Sequence, residues 1–207
     1  MEKMLIYIMN EFNIENIPAY YNRPYIGFGK IGNPNFLNVL KDTFSGETNA
    51  NLQKAKNNVK DILRTDIPLV IKKQNIDNPV LVIVPRAKAR KSYFDSQLQF
   101  LQSVKEIAKE LNLTDGTDYI IRIKDTRTTH LPRDLKTQSN EGDDPYMGII
   151  KDTCEINYDG IKDQNIILID DIYTHDVMID EDAIQTLFNH GAKTVTFYAI
   201  AKTGGDI

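Results

Sequence analysis

A chain of 207 residues, 41% hydrophobic and 26% charged, has the make-up of an ordinary globular protein, and its length suits one domain with an appendage. The net charge of −4 argues against a general nucleic-acid binder, and the single cysteine, Cys154, excludes an internal disulfide. No apolar run approaches the roughly 18 residues of a membrane span, and the start MEKMLIYIMNEF is too short and interrupted for a signal peptide, so the cytoplasm is the expected compartment.

Residues 1–75 read as an N-terminal extension, mostly helix and loop, that packs on the core or frames an acceptor site. Leu5, Ile6, Ile8, Met9 and Phe12 fit one face of a short helix. IPAYYNRPYIGFGKIGNPN, rich in Pro, Gly, Asn and Tyr, reads as loop. Its Tyr20, Tyr21, Tyr25 and Phe28 are candidates to stack on a base or, more ordinarily, to pack the loop onto the domain. GFGKIG lacks the Lys-Ser/Thr and the leading strand of a phosphate loop. Asn51 to Leu63 has an apolar stripe, Leu52, Ala55, Val59, Ile62 and Leu63, opposite lysines, and predicts a helix.

The core is expected over 76–207. LVIV, ending at Val84, predicts a buried strand. The loop behind it, Pro85 to Ser92, carries Arg86, Lys88, Arg90 and Lys91. A basic loop between strand and helix suits pyrophosphate, and a solvated charge run or a nucleic-acid contact fits the same residues. Leu98, Leu101, Val104, Ile107, Ala108 and Leu111 predict a crossover helix, and TDYIIRIK a third strand. Asp125 to Tyr146 has no period and little apolar content, as active-site lids and disordered segments do. His130 there is a candidate acid or base, or a solvated side chain. Met147 to Asn157 predicts a strand or hairpin arm, with a turn at Tyr158-Asp159-Gly160. Cys154 has no marked His partner and reads as a passive thiol.

The organising stretch is NIILIDDIYTHDVMIDEDAIQTLFNH, Asn165 to His190. A buried parallel strand, Ile166 to Ile169, is followed by Asp170 and Asp171, a short polar loop, and a helix carrying Ala183, Ile184, Leu187 and Phe188. Parallel sheets present ligand sites at the carboxyl ends of their strands. Asp180, Glu181 and Asp182 suit the helix N-terminus. Gly191 stops the helix, and KTVTFYAIA, Lys193 to Ala201, predicts a final strand.

This stretch resembles the phosphoribosyl pyrophosphate (PRPP) motif of type I phosphoribosyltransferases: an apolar strand, two acids, two variable residues, then Thr-Thr-Gly-x-Thr. The chain departs from it in the second half, where His175, Asp176 and Met178 stand for the second Thr, the Gly and the last Thr. IVPRAKARKSYFDSQLQFLQSVKEIAKEL is similar to the ComF-like members of that family. The resemblance implies an α/β, parallel-sheet phosphoribosyltransferase-like fold with a flexible hood over 125–146. It places Asp170 and Asp171 on the ribose hydroxyls and Arg86, Ala87 and Lys88 at the pyrophosphate, with Phe94 and Gln97 in the element that follows. Tyr173, Thr174, His175, Asp176, Val177 and Met178 would wrap the 5-phosphate. Arg127, His130, Arg133 and Lys136 would belong to the hood. Because like charges repel, Asp176 is expected to oppose a phosphate held by that loop.

The implied reaction is displacement of pyrophosphate from C1 of PRPP by a base or amine, with Mg²⁺ arriving with PRPP and no dedicated protein metal cage. Three readings stay open: an active transferase, a degenerate nucleotide-binding sensor, and a diverged enzyme acting on a nucleoside or nucleotide. The expected partners are the small-molecule substrate and a base; a membrane is excluded, nucleic acid is not expected, and a homodimer is compatible with the composition.

Overall fold

A computed structural model of the chain describes residues 1–9, 14–41, 46–129, 134–135 and 138–204. Its centre is a six-stranded sheet. In chain order the elements begin with β1 (Glu2–Met9), β2 (Ile14–Tyr25), α1 (Phe36–Lys41), α2 (Asn49–Gln74), β3 (Val80–Ile83), α3 (Asp95–Glu110) and β4 (Thr114–Asp115). Then come β5 (Ile120–Arg122), β6 (Asp134–Leu135), β7 (Gln138–Ser139), α4 (Ile149–Thr153), β8 (Cys154–Ile156), α5 (Tyr158–Ile161), β9 (Asn165–Tyr173), α6 (Ile179–Asn189) and β10 (Thr194–Thr203). The strand order is β1-β2-β10-β9-β3-β4, with β1 antiparallel and the other five parallel. The fold is α/β with a mostly parallel central sheet. Among the described residues no helix is long and apolar enough to cross a membrane.

Alternation along the strands explains the two cores. Successive side chains of a strand point to opposite faces, so an all-aliphatic strand buries both. Leu81, Ile83, Ile167, Ile169, Tyr198 and Ile200 face α1, α2 and α3, which contribute Leu40, Val59, Leu63, Phe100 and Val104. Val80, Val82, Ile166, Leu168, Val195 and Phe197 face the other way, toward Ala183, Ile184 and Leu187 of α6 and Ile149 and Ile150 of α4.

Several expectations are corrected. Residues 2–9 and 14–25 are not helix and loop but two antiparallel strands that extend the sheet, with β2 seated between β1 and β10, while Phe12 lies outside the described residues. The alternation is visible in β1, where Ile6 is buried between exposed Leu5 and Tyr7. In β2, Pro18 and Pro24 mimic loop punctuation, yet Ile17, Ala19 and Tyr20 are buried by pairing on both sides. The strand read over 117–124 shortens to β5, which pairs antiparallel with β8 outside the main sheet, and the edge strand of that sheet is β4, which precedes it. A Cβ on Gly116 would lie 2.6 Å from Val80 Cγ1, so glycine lets this turn press against β3. Met147 to Asn157 begins as helix α4 before β8. α2 runs well past Leu63, starting at Thr48, whose side chain accepts from Asn51 N at 3.2 Å.

Asp66 joins α2 to the sheet, accepting from Tyr198 Oη at 2.7 Å and Asn22 Nδ2 at 2.9 Å. Removing it strands buried donors, which typically costs about 1–3 kcal/mol. Asp66→Leu is therefore expected to lower unfolding stability by about that amount in urea titrations. An unchanged midpoint would show that the buried acid adds nothing to the packing of α2.

Candidate functional site

The cleft arises from unequal strand lengths. β3 stays paired with β9 from Val80↔Ile166 to Ile83↔Ile169, and then the chain leaves the sheet. β9 continues beside β10 as far as Tyr173. Asp170 and Asp171 therefore lie within a strand that overhangs its neighbour. The expectation of two acids at an exposed strand end is corrected: Asp171 is 4% exposed. The carboxyl ends of β2, β3, β9 and β10 open into one cleft of about 1300 Å³.

Asp171 is fixed by two cations. Arg86 Nη2, from the loop after β3, lies 3.1 Å from Oδ2, and Lys41 Nζ, at the end of α1, lies 2.8 Å from Oδ1. Burial would raise the Asp171 pKa, but Lys41 and Arg86 together hold it below the ordinary carboxylate range. Asp170 is pushed up to about 7, first by burial and then by the Asp171 charge. Asp180 also faces the cleft. It is raised well above the usual range, first by burial and then by the neighbouring Asp170 carboxyl. Two carboxyls this close share a proton rather than ionise together.

The acids at the start of α6 divide their work. Asp182 does not cap its own helix. It accepts from Gly148 N and, at 2.9 Å, from Ile150 N, holding the start of α4. Glu181 accepts from Tyr173 Oη at 2.7 Å. Asp180 Oδ1 is buried with no partner among the described residues.

Of the loop after β9, Thr174 and Val177 line the cleft, whereas His175, Asp176 and Met178 are exposed. His175 Nδ1 is 3.2 Å from Tyr173 Oη. Tyr173 itself is buried and its hydroxyl is raised far above its ordinary value, chiefly by burial and Glu181. Arg86, Ala87 and Lys88 line the cleft, but Arg90 turns away to Thr117 O at 2.9 Å and to Asp118. Lys91 is exposed. Phe94 and Gln97 also line the cleft.

Thr126, Arg127, Thr128 and Thr129 form the opposite wall. Arg127 is paired with Asp144, and Thr126 donates its N–H to Ala87 O at 2.7 Å. His130, Arg133 and Lys136 lie outside the described residues. Cys154 is buried, which pushes its thiol pKa up and keeps it protonated.

Four contributors had no local signal in the sequence. Lys41 is one lysine among many, ending a short helix. Arg122 sits in what reads as a strand, and it is 1% exposed. It donates Nε to Arg86 O at 2.8 Å and bonds Thr153, and its Nη2 is buried without a partner among the described residues. Asn35, read as loop, and Asn38, which had no reading and lies in α1, line the cleft as well. A polar residue beside an apolar strand gives no sign of the distant partner it will meet.

The described cleft wall carries Lys41, Arg86, Lys88, Arg122 and Arg127 against Glu47, Asp170, Asp171 and Asp180. Five cations face four acids there, so the balance is positive and suits an anion. Among the described residues no group of three or more His, Cys, Asp or Glu side chains is placed to hold a metal. Carboxylate oxygens, among them the buried Asp180 Oδ1 with no partner among the described residues, are the donor type a hard cation such as Mg²⁺ would take.

No protein-family model matches the chain, and the comparison with curated proteins returns no match. The class that the fold and cleft define is an α/β protein with a ligand cleft at the carboxyl ends of a mostly parallel sheet.

Proposed function

We propose that the chain is a phosphoribosyltransferase-like enzyme that binds PRPP and displaces its pyrophosphate with a nitrogenous base or amine. The observation that carries this reading is the Arg86–Asp171 pair across the cleft, which brings a basic loop and an acid pair to one sheet end. Asp170 and Asp171 would take the ribose hydroxyls. Arg86, Lys88 and Arg127 would receive the diphosphate, with Arg122 positioning the Arg86 backbone. Mg²⁺, when bound with PRPP, supplies charge neutralisation of the diphosphate. The acceptor nitrogen forms its bond to C1 as the C1–O bond breaks with its electron pair going to pyrophosphate, which also takes the nitrogen's proton. The cationic wall stabilises the departing charge, and the acids favour the developing positive sugar.

The test is thermal stabilisation by PRPP with Mg²⁺, followed by pyrophosphate release with a panel of bases and amines. Stabilisation and release support the reading; neither effect ends it. A second reading, a sensor that binds without transfer, is favoured by the two cations that already occupy Asp171. Its signature is stabilisation with no release.

Asp176 bears on the same assay. Its side chain stands in solvent, where a charge is screened and worth at most about 1 kcal/mol. Asp176→Gly is expected to tighten PRPP binding by no more than about fivefold. A gain of a hundredfold would mean that the carboxylate reaches the phosphate.

A further inference from the structure

The loop after β2 holds an aromatic ring in water by a dedicated framework. Phe28 is 82% exposed, although it lines the cleft. Leaving a large apolar side chain in solvent forgoes about 1.5–3 kcal/mol of burial, part of which a ligand stacked on this cleft-lining ring would recover. This loop is ordered by its own hydrogen bonds. Asn33, nearly buried, accepts from Ile26 N at 2.9 Å and Gly27 N at 3.1 Å, and donates to Asn35 Oδ1 at 2.8 Å. Asn35 Oδ1 also accepts from Gly29 N at 3.2 Å. Gly27 and Gly29, at φ +120° and +70°, provide the left-handed turns on either side of Phe28.

Beside the ring stands a row of amides. Tyr25 Oη donates to Asn38 Oδ1 at 2.8 Å, and Asn38 Nδ2 donates to Asn35 Oδ1 at 3.2 Å. A carboxamide has two N–H donors and two acceptor lone pairs. Asn38 therefore keeps one N–H and one lone pair beyond these bonds, the donor–acceptor pair that the edge of a heterocyclic lactam or amidine requires. Phe94, 43% exposed at the start of α3, lines the same cleft. At about 1300 Å³ the cleft exceeds the roughly 300–1,000 Å³ of a typical single-ligand pocket, leaving space for a second molecule beside a phosphosugar. The lining cation nearest in sequence, Lys41, is engaged by Asp171, and Glu47 lines the same cleft. A negative charge on the cleft wall disfavours a carboxylated acceptor and is neutral toward an uncharged ring.

We infer that Phe28, with Tyr25, Asn35 and Asn38, forms the acceptor site of the cleft, and that its ligand is a neutral, planar nucleobase rather than ammonia or an anionic base. The inference rests on reading the inner cleft as the phosphoribosyl site. Phe28 supplies a stacking face, and the amides read the ring edge.

The test combines equilibrium dialysis against adenine, hypoxanthine, uracil and orotate, with and without PRPP and Mg²⁺, with pyrophosphate release driven by the same compounds and by ammonium chloride. At least one neutral base is expected to bind and to support release, with orotate and ammonium inactive. Phe28→Ala is expected to weaken that base by roughly 10- to 100-fold, as loss of a base–aromatic stack does, while PRPP-dependent stabilisation stays unchanged. Phe28→Tyr is expected to restore binding. Because the ring is exposed, neither variant threatens folding. Stabilisation by PRPP with no neutral base bound, or Phe28→Ala binding as the parent does, overturns the acceptor site. Base binding that depends on Phe28 without any response to PRPP keeps the site and removes the phosphoribosyl reading.

Discussion

Asp170→Asn is expected to make the protein more stable at pH 8 while abolishing transfer. Folded, Asp170 keeps its proton to about pH 7; unfolded, a carboxyl releases it near pH 4. Between those values the folded chain binds more protons than the unfolded one, so this group lowers stability as pH rises from about 4 through about 7. At about 1.36 kcal/mol per pKa unit, a shift of about three units bounds the penalty near 4 kcal/mol at pH 8. Sharing of the proton with Asp180 reduces what one substitution recovers, and roughly 2–3 kcal/mol is expected. For a chain of this size that is about 4–12 °C in Tm. The gain should fade as pH falls through about 4 and vanish below about 3, where both states are protonated. A variant less stable than the parent at pH 8 would show that the carboxylate is solvated. Loss of transfer alongside a gain in stability is the pattern of a group placed for function.

Asp171→Asn, one residue along, is expected to do the opposite to stability. Its carboxylate is the shared counter-charge of Lys41 and Arg86, and it is buried. Removing one partner of a buried ion pair costs about 3–5 kcal/mol because the remaining charge is left uncompensated. The amide still accepts one hydrogen bond, so roughly 3 kcal/mol is expected in denaturant titrations at pH 7. The folded pKa of Asp171 is lowered, so its contribution is present above the unfolded value near 4 and fades as pH falls through the folded one. The gap between parent and variant should therefore close in acid. Equal stability at neutral pH would mean that neither cation depends on this acid. Opposite signs at adjacent positions are a sharp outcome, since exposed acids at a strand end would give two small effects of the same kind.

The layering of the fold is legible where the chemistry is local. VLVI and IILI are aliphatic without alternation, which in a short run means a strand covered on both faces, and β3 and β9 lie there. Because both are parallel, the residues after them emerge at one end, so the nearness of Arg86 and Asp171 follows from reading two strands correctly. The stripes of α2 and α3 are equally local. β1 and β2 are harder, because Pro18 and Pro24 look like loop residues, yet each is paired on one side, Pro18 with Leu5 of β1 and Pro24 with Lys202 of β10. Lys41 is illegible for a different reason: its role depends on α1 ending at the cleft mouth, which is a property of helix packing and not of its neighbours. The exposure of Asp176 depends on how the loop turns before α6, where Met178 takes a left-handed φ of 59° that no residue type announces.

Asp182 gives the start of α6 a mechanical part. Asp180 meets Asp170 in the cleft, and two residues later Asp182 grips Gly148 and Ile150, where the chain returns from 125–146. That stretch sets out from the other side, with Thr126 fastened to Ala87 O at 2.7 Å. Thr126 and Gly148 are thus tied to the segments that carry the basic loop and the acids, so a molecule bridging that loop and those acids would brace the two positions against each other.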